Sequence, residues 1–290
     1  MNRLSLNTAT CKHLTVGQCV DLASAYELEA VGVWRDRVQE IGVDQAAHII
    51  RNAGLRVSSL CRGGFITSSD SAQIAYAMAD NRLAIDEAAI LGAKELVMVV
   101  GGLPSSFPMM GLPHTDTAST DKDLVAARLR MESRIAELVP YAREHGVRLA
   151  LEPMHPLFTA DRGVLTTLAQ ALDVAADYSF DEVGVVIDTY HTWWDPDLAS
   201  SIVRAGSEGR ISSYQICDWI LPLKANTLNS RGMMGDGYID FPTITSWVRQ
   251  AGYAGDVEVE IFNEDIWAQP GEVTLTQMSQ RYASLVEPYL

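Results

Sequence analysis

The sequence is poor in cysteine and has no long apolar run, and both shortages narrow the class of protein. Only four of its 290 residues are cysteine, and they form no CxxC pair. Cysteines this few and scattered exclude a disulfide framework, so we expect buried free thiols in a reducing compartment. No stretch approaches the roughly 18 apolar residues of a membrane span, and the first residues lack the apolar core of a signal peptide. We therefore expect a cytoplasmic protein with no membrane partner.

Basic residues are scarce as well. Lysine and arginine total 22 against 37 aspartates and glutamates, which gives a formal net charge of −15. Nucleic acids are bound through basic faces, so this balance argues against a nucleic-acid partner. Hydrophobic residues make up 48% of the chain, so enough apolar surface is present to form a large folded core.

One sequence unit recurs along the chain: an amphipathic stretch, then a glycine, then a short apolar run rich in β-branched residues. The glycine is typical of a helix that ends in a left-handed residue before a strand begins. The apolar runs are continuous rather than alternating, which is typical of parallel strands covered by helices on both faces. The glycines expected to end helices are Gly54, Gly92, Gly146, Gly206 and Gly252.

The number of these units predicts a single-domain α/β protein, a (β/α)8 TIM barrel spanning residues 1–290. Strands are predicted at 3–9, 30–34, 56–60, 95–100, 148–152, 183–188, 211–216 and 256–261. Helices are predicted at 15–28, 43–53, 71–92, 121–145, 164–177, 197–206, 241–251 and 272–287. A doubly wound sheet would carry a glycine-rich phosphate loop after its first strand, and RLSLNTATCKHL contains none.

Two long inserts follow the fourth and seventh predicted strands, at 101–120 and 217–240. Both lie at the C-terminal face of the barrel, where barrel enzymes keep their active sites. We expect each insert to serve as a lid, or as a docking surface for a second copy of the chain or a small partner subunit.

The last four predicted strands end in side chains that carry oxygen, namely Glu152, Asp188, Gln215 and Glu260. The C-terminal ends of barrel strands meet at one rim, so these side chains should converge. Three carboxylates brought together without a cation cost several kcal/mol, because like charges in a dry site resist ionisation. A divalent cation removes this conflict, and an all-oxygen ligand set favours Mg²⁺ or Mn²⁺, with Co²⁺ as a substitute in vitro.

Two histidines repeat the spacing of these carboxylates. His155 lies three residues after Glu152, and His191 lies three residues after Asp188. A lone histidine at a strand end is often a structural hydrogen-bonding group, but the parallel spacing favours a functional role for both. His155 is the candidate for a second acid/base or for a contact with a sugar hydroxyl.

Other candidate substrate contacts follow the second, third and seventh strands. Trp34 and Trp219 have the size and flat face needed to stack on a sugar ring, with core packing as the alternative. Arg62 ends the third strand, where its guanidinium can bind a hydroxyl, carboxylate or phosphate of a substrate or pair with a rim carboxylate.

The chain resembles the sugar phosphate isomerase/epimerase superfamily, the xylose isomerase-like barrels that include inosose isomerase and ketose 3-epimerases. The resemblance is carried by LALEPMHP (149–156), VVIDTYHTWWDP (185–196), SYQICDW (213–219), RGMMGDGYIDF (231–241) and GYAGDVEVEIF (252–262). It implies that the four strand-end residues bind the metal, that Glu152 and Glu260 are also the acid/base pair, and that His191 and Arg231 contact substrate. The third ligand of this family is typically histidine and is here Gln215, as in some dehydratases of the superfamily.

The resemblance implies a metal-dependent isomerase or epimerase that removes a proton α to the carbonyl of a keto sugar or inosose and passes through an enediolate. The alternative is a lyase that performs β-elimination on a keto sugar, such as a dehydratase or a C- or O-glycoside deglycosidase acting on 3-keto glycosides. Gln215, His155 and the tryptophan-rich rim favour this alternative. No cluster of lysine and arginine marks a phosphate pocket, which favours an unphosphorylated carbohydrate.

Overall fold

The computed structural model describes residues 3–104 and 120–290, and eight of its strands close into a parallel barrel. The barrel strands are β1 (Leu4–Asn7), β2 (Ala30–Trp34), β3 (Arg56–Gly64), β4 (Glu95–Val99), β5 (Arg148–Leu151), β6 (Val183–Asp188), β7 (Ile211–Ile216) and β10 (Val257–Val259). Each strand pairs with the next in the chain, and β10 closes the ring between β7 and β1. Two short strands, β8 (Asp218–Trp219) and β9 (Arg231–Gly232), form a separate antiparallel pair.

Helices pack around the barrel in the order predicted. They are α1 (Val16–Ala25), α2 (Arg35–Ile41), α3 (Val43–Asn52), α4 (Ser71–Leu91), α5 (Leu124–Glu144), α6 (Leu168–Ala175), α7 (Thr189–Thr192), α8 (Leu198–Ser207), α9 (Phe241–Gln250), α10 (Glu264–Trp267) and α11 (Gly271–Leu285). All eight predicted strands and all eight predicted helices are present, so the barrel prediction is confirmed. The short helices α2, α7 and α10 and the β8–β9 pair were not predicted. No helix in the described ranges is long and apolar enough to cross a membrane.

Four of the five predicted glycines do end helices. Gly54, Gly92, Gly146 and Gly252 have φ angles of 73°, 75°, 67° and 84°. The prediction was wrong for Gly206, which lies inside α8, and Gly209 with φ 68° turns the chain instead. Gly206 is needed for packing, because a Cβ there would lie 2.3 Å from the carbonyl oxygen of Ala251.

The structure describes the second of the two predicted inserts in full and only the ends of the first. Most of the insert at 101–120 lies outside the described residues, which omit 105–119. The insert at 217–240 contains β8 and β9 and is held by one buried carboxylate. Asp218 accepts hydrogen bonds from the backbone N–H groups of Gly235, Gly237 and Ile239, at 2.9, 2.8 and 3.0 Å. This anchor folds the segment back over the barrel and carries Arg231 of β9 to the mouth.

Candidate functional site

The four oxygen-bearing residues lie at the C-terminal ends of neighbouring barrel strands. Glu152 follows β5 directly, Asp188 ends β6, Gln215 lies in β7, and Glu260 follows β10. All four side chains are buried, with at most 4% of each residue exposed. Ligand atoms of Glu152, Asp188 and His191 lie within 4.8 Å of one another. The strand ends therefore bring several metal-ligating groups within reach of one ion.

A guanidinium lies among these carboxylates. Nη1 of Arg231 donates to Asp188 Oδ2 at 3.0 Å and to Glu260 Oε2 at 3.1 Å, and Nη2 lies 3.0 Å from His191 Nε2. Burial lowers the pKa of Arg231, but Asp188 and other nearby acidic groups outweigh this effect and raise it well above its usual value. Its Nε is buried without a hydrogen-bond partner. Arg231 thus supplies one positive charge to a cluster of three carboxylates.

Glu152 differs from Asp188 and Glu260 because its carboxylate makes no hydrogen bond with a described residue and lines a cavity. Burial, followed by the charges of Asp188 and Glu260, raises the pKa of Glu152 well above its ordinary value. Glu260, in contrast, accepts hydrogen bonds from Trp34 Nε1 at 2.8 Å and Asn7 Nδ2 at 3.2 Å. Glu152 is therefore the acid least committed to internal contacts.

The Gln215 amide has one bonded end and one unbonded end. Its Nε2 donates to Glu258 Oε1 at 3.3 Å, whereas its Oε1 is buried with no hydrogen-bond partner. An unsatisfied buried acceptor costs about 1–3 kcal/mol. A carbonyl oxygen beside carboxylates is a ligand that hard cations prefer, so this orphaned oxygen and the neighbouring acids fit a divalent metal ion.

Sequence reasoning missed Glu258, which lies one layer below Glu260 inside the barrel. It is fully buried, and burial raises its pKa to about 7. Besides Gln215, its hydrogen-bond donors are Asn7 at 2.6 Å, Ser58 at 2.5 Å and Ser59 at 2.9 Å. The two-residue period of a strand places Glu258 on the same face as Glu260, and this alternation in VEVEI was the available signal.

His191 and His155 occupy different environments. Nδ1 of His191 accepts from the His155 backbone N–H at 3.2 Å, and Nε2 of the same ring faces Arg231. Burial, followed by the Arg231 charge, lowers the pKa of His191 well below its usual value, so the ring is neutral. A neutral imidazole has a single lone pair and accepts only one of these two bonds. His191 and Arg231 therefore do not satisfy each other fully in this arrangement.

The His155 side chain points away from the carboxylates. Its ring packs against Trp219 and Trp194, with centroids 4.5 and 5.7 Å apart, and its Nδ1 accepts from the Leu157 backbone N–H. Burial lowers its pKa to about 4. His155 and Trp219 thus form a layer behind His191 and are absent from the described lining of the cavity above the site.

That cavity measures about 730 Å³ and opens at the C-terminal face of the barrel. Its described walls include six of the residues singled out from the sequence: Glu152, Glu260, His191, Arg231, Trp34 and Arg62. The Trp34 ring packs edge-on against Phe262, with centroids 5.2 Å apart, while its N–H binds Glu260. The volume suits a small polar molecule that reaches from the carboxylates to Arg62.

Comparisons with known proteins agree with this architecture. The family model described as xylose isomerase-like TIM barrel matches residues 20–282. Inosose isomerase of Bacillus licheniformis is 24% identical over 207 residues, which span 68% of this chain and 71% of that enzyme.

Two solved structures superimpose over nearly the whole chain. A protein of Sinorhizobium meliloti 1021 is 42% identical, with a TM-score of 0.89 and 98% of both chains covered. The IolI protein, solved with a zinc atom, is 19% identical, with a TM-score of 0.81 and 99% of both chains covered. At that identity the likeness to IolI is one of fold.

Proposed function

Because the chain belongs to the xylose isomerase-like TIM barrel family, we propose that it is a divalent-metal-dependent isomerase or epimerase of a keto sugar or inosose. The observation that carries the proposal is the convergence of three carboxylates and an orphaned amide oxygen beneath a cavity of about 730 Å³. The similarity to an inosose isomerase supports the same class of reaction.

We assign metal binding to Glu152, Asp188, Gln215 and Glu260, with Mn²⁺ or Mg²⁺ as the ion. Four oxygen ligands suit these hard cations better than zinc, which prefers nitrogen and sulfur ligands. When bound, such an ion polarises a substrate carbonyl and lowers the barrier to removing the proton on the adjacent carbon. The ion would give the buried Oε1 of Gln215 a partner, and it would offset the burial and the negative neighbours that together raise the pKa of Glu152.

Glu152 and Glu260 are the proposed acid/base pair. They follow β5 and β10, which are separated by two strands around the barrel, so they approach a substrate from different sides. The Glu152 carboxylate makes no hydrogen bond to a described residue and can accept a proton, whereas Trp34 and Asn7 hold the carboxylate of Glu260 in place. One group removes the proton next to the carbonyl and the other returns it, on the neighbouring carbon or on the opposite face.

Arg231 and His191 are the proposed contacts to substrate oxygens. The Arg231 guanidinium carries an unused Nε–H and competes with His155 for the single lone pair of His191, so it can turn toward a ligand without losing a full set of bonds. For His155 we propose a positioning role: its backbone N–H holds the His191 ring, while its own ring stacks on Trp219.

Hydrogen exchange tests this proposal directly. The Mn²⁺-loaded protein is incubated in D₂O with inososes, ketoses and 3-keto glycosides, and proton NMR follows the C–H signals next to each carbonyl. Loss of such a signal, with formation of an isomer or epimer, is the expected result. Release of an aglycone or loss of water would instead identify a lyase, and absence of exchange with every keto sugar would contradict the proposal.

A further inference from the structure

Arg62 occupies an irregular position in the barrel wall. Along the β3–β4 pair, Cys61 lies opposite Val97 and Gly63 lies opposite Met98, so Arg62 is an extra residue with no partner on β4. A bulge of this kind redirects a side chain that regular alternation would place elsewhere, and bulges are frequent beside active sites. The redirected Arg62 side chain lines the same cavity as Glu152 and Glu260.

Within residues 3–104 and 120–290, the Arg62 guanidinium makes no hydrogen bond and no ion pair. Its contact is the face of the Phe65 ring, 4.1 Å from the guanidinium carbon. The charge of Asp80 acts on Arg62 but forms its ion pair with Arg35, which binds Asp80 at 2.9 Å and Glu87 at 2.5 Å. Two arginines thus lie close together, one with two carboxylates and the other with none.

The electrostatic environment of Arg62 is unfavourable for its charge. Burial, followed by the positive charge of Arg35, lowers the pKa of Arg62 to about 10, and the side chain is still cationic at neutral pH. Asp80 offsets this lowering only in part, and the Arg62 side chain is only partly exposed. A cation held there without an ion-pair partner is unfavourable, which is expected where a ligand supplies the missing anion. Lys12 also lines this cavity, with its Nζ 4.9 Å from the centre of the Trp267 ring.

We propose that Arg62 binds an anionic group of the substrate, so that the substrate class is a keto sugar bearing a carboxylate or a phosphate. This inference rests on the proposed function and names the substrate class for it. The guanidinium fork matches both anions through paired N–H donors. The sequence favoured an unphosphorylated substrate because it contains no cluster of basic residues. In the fold, a cationic subsite needs only one arginine that the described residues leave without an ion pair.

Matched substrates test the proposal. A ketohexose, its terminal carboxylate and its 6-phosphate differ only at the end remote from the carbonyl. We expect the wild type to bind at least one anionic member at least about tenfold more tightly than the neutral one, in calorimetry with the Mn²⁺-loaded protein. R62M should remove most of that preference, R62K should keep part of it, and K12M, which removes one charge from the same cavity, should change it by less than about twofold.

Thermal unfolding separates this role from a structural one. Because Arg62 has no ion-pair partner among the described residues, R62M should unfold at the same temperature as the wild type or higher, and the anionic sugar should stabilise only the wild type. A fall in the unfolding temperature of R62M, or equal loss of neutral and anionic binding, would overturn the proposal. So would a wild type without preference for either anion.

The two proposals fail in different ways. Binding is measured without turnover, so a preference for the anionic sugars that depends on Arg62 stands even where no hydrogen exchange occurs, and only the reaction assignment then fails. Exchange on neutral and anionic sugars at equal kcat/KM would keep the isomerase assignment and remove the anion subsite. Comparing the sugar carboxylate with the 6-phosphate shows which anion Arg62 binds.

Discussion

The two sides of the cavity differ in how their charged groups are paired. On the side formed by β5, β6, β7 and β10, three carboxylates share one arginine. On the side formed by β1 to β3, Arg62 has no acidic partner among the described residues. The first side has more acidic groups than its arginine can pair, and the second has an arginine that no described acid pairs. A ligand with a carbonyl at one end and an anion at the other, bound together with a divalent cation, would correct both. In these proposals the carboxylate side performs the proton transfer, and the Arg62 side recognises the anionic group of the substrate.

Metal removal should have the largest effect and should affect only the carboxylate side. Protein purified without chelator should contain about one Mn²⁺ or Mg²⁺ per chain by elemental analysis. EDTA treatment should abolish hydrogen exchange, and added Mn²⁺ should restore it, since the carboxylates lack a second cation without it. The unfolding temperature should rise again on metal addition, as binding to the folded state requires. A metal-free protein with full exchange activity would end this scheme.

Substituting either residue of the acid/base pair should have the next largest effect on hydrogen exchange. E152Q and E260Q should each slow hydrogen exchange by at least about 10²–10⁴-fold, the usual contribution of a positioned acid or base. E152Q should unfold at a higher temperature than the wild type in metal-free buffer, because it removes a carboxylate whose pKa is raised by burial and by its negative neighbours. D195N, at a buried acid that is absent from the described cavity lining, serves as the control. Wild-type exchange rates in both glutamine variants would refute the assignment.

The barrel and most of its rim were predictable because their signals are local. Continuous apolar runs, each after a helix-ending glycine, define the strands, and a polar residue at the end of such a run marks the rim. This reasoning located Glu152, Asp188, Gln215 and Glu260. It missed α2 because that helix begins at Arg35, directly after β2, with no loop residues to mark a boundary.

The remaining features depend on contacts between distant parts of the chain. The alternation in VEVEI places Glu258 on the same face as Glu260, but its hydrogen-bond partners, Asn7 of β1 and Ser59 of β3, are more than 190 residues away. Arg62 has no ion pair among the described residues because of the β3–β4 register and because Arg35 uses Asp80 and Glu87. No local pattern encodes these contacts, since they follow from the closed barrel.

Glu258 provides a smaller test of how the carboxylate side is organised. It accepts the N–H of Gln215 and so directs the amide oxygen away from itself. E258Q should weaken Mn²⁺ binding by about 10–100-fold in calorimetry, the usual effect of losing a group that orients a ligand. S58A removes one donor to Glu258 without touching Gln215 and should weaken binding by less than about threefold. Equal affinities for E258Q and the wild type would show that Gln215 needs no such support.

The smallest expected effect concerns His155, which lies behind the carboxylate side. Burial lowers its pKa to about 4 from 6.5, so the unfolded chain binds a proton more readily than the folded protein between these values. Protonation of His155 therefore lowers the free energy of unfolding as pH falls from about 6.5 to 4. The decrease is about 1–2 kcal/mol after allowance for the partial exposure of the ring.

Urea unfolding of the wild type, H155N and the exposed-site control H13N at pH 7 and pH 4.5 measures this contribution. Asparagine keeps an acceptor for the Leu157 N–H but has no proton to gain, so H155N should lose less stability over this range than the other two proteins. Parallel losses in all three would show that His155 is no more costly to protonate in the fold than in the unfolded chain.

Hydrogen exchange by H155N at pH 7 then reports separately on the support of His191, because the backbone N–H that binds its ring is unchanged by the substitution. A rate within about threefold of the wild type fits that positioning role, whereas a loss as large as that of E152Q would mean that the His155 ring itself moves a proton.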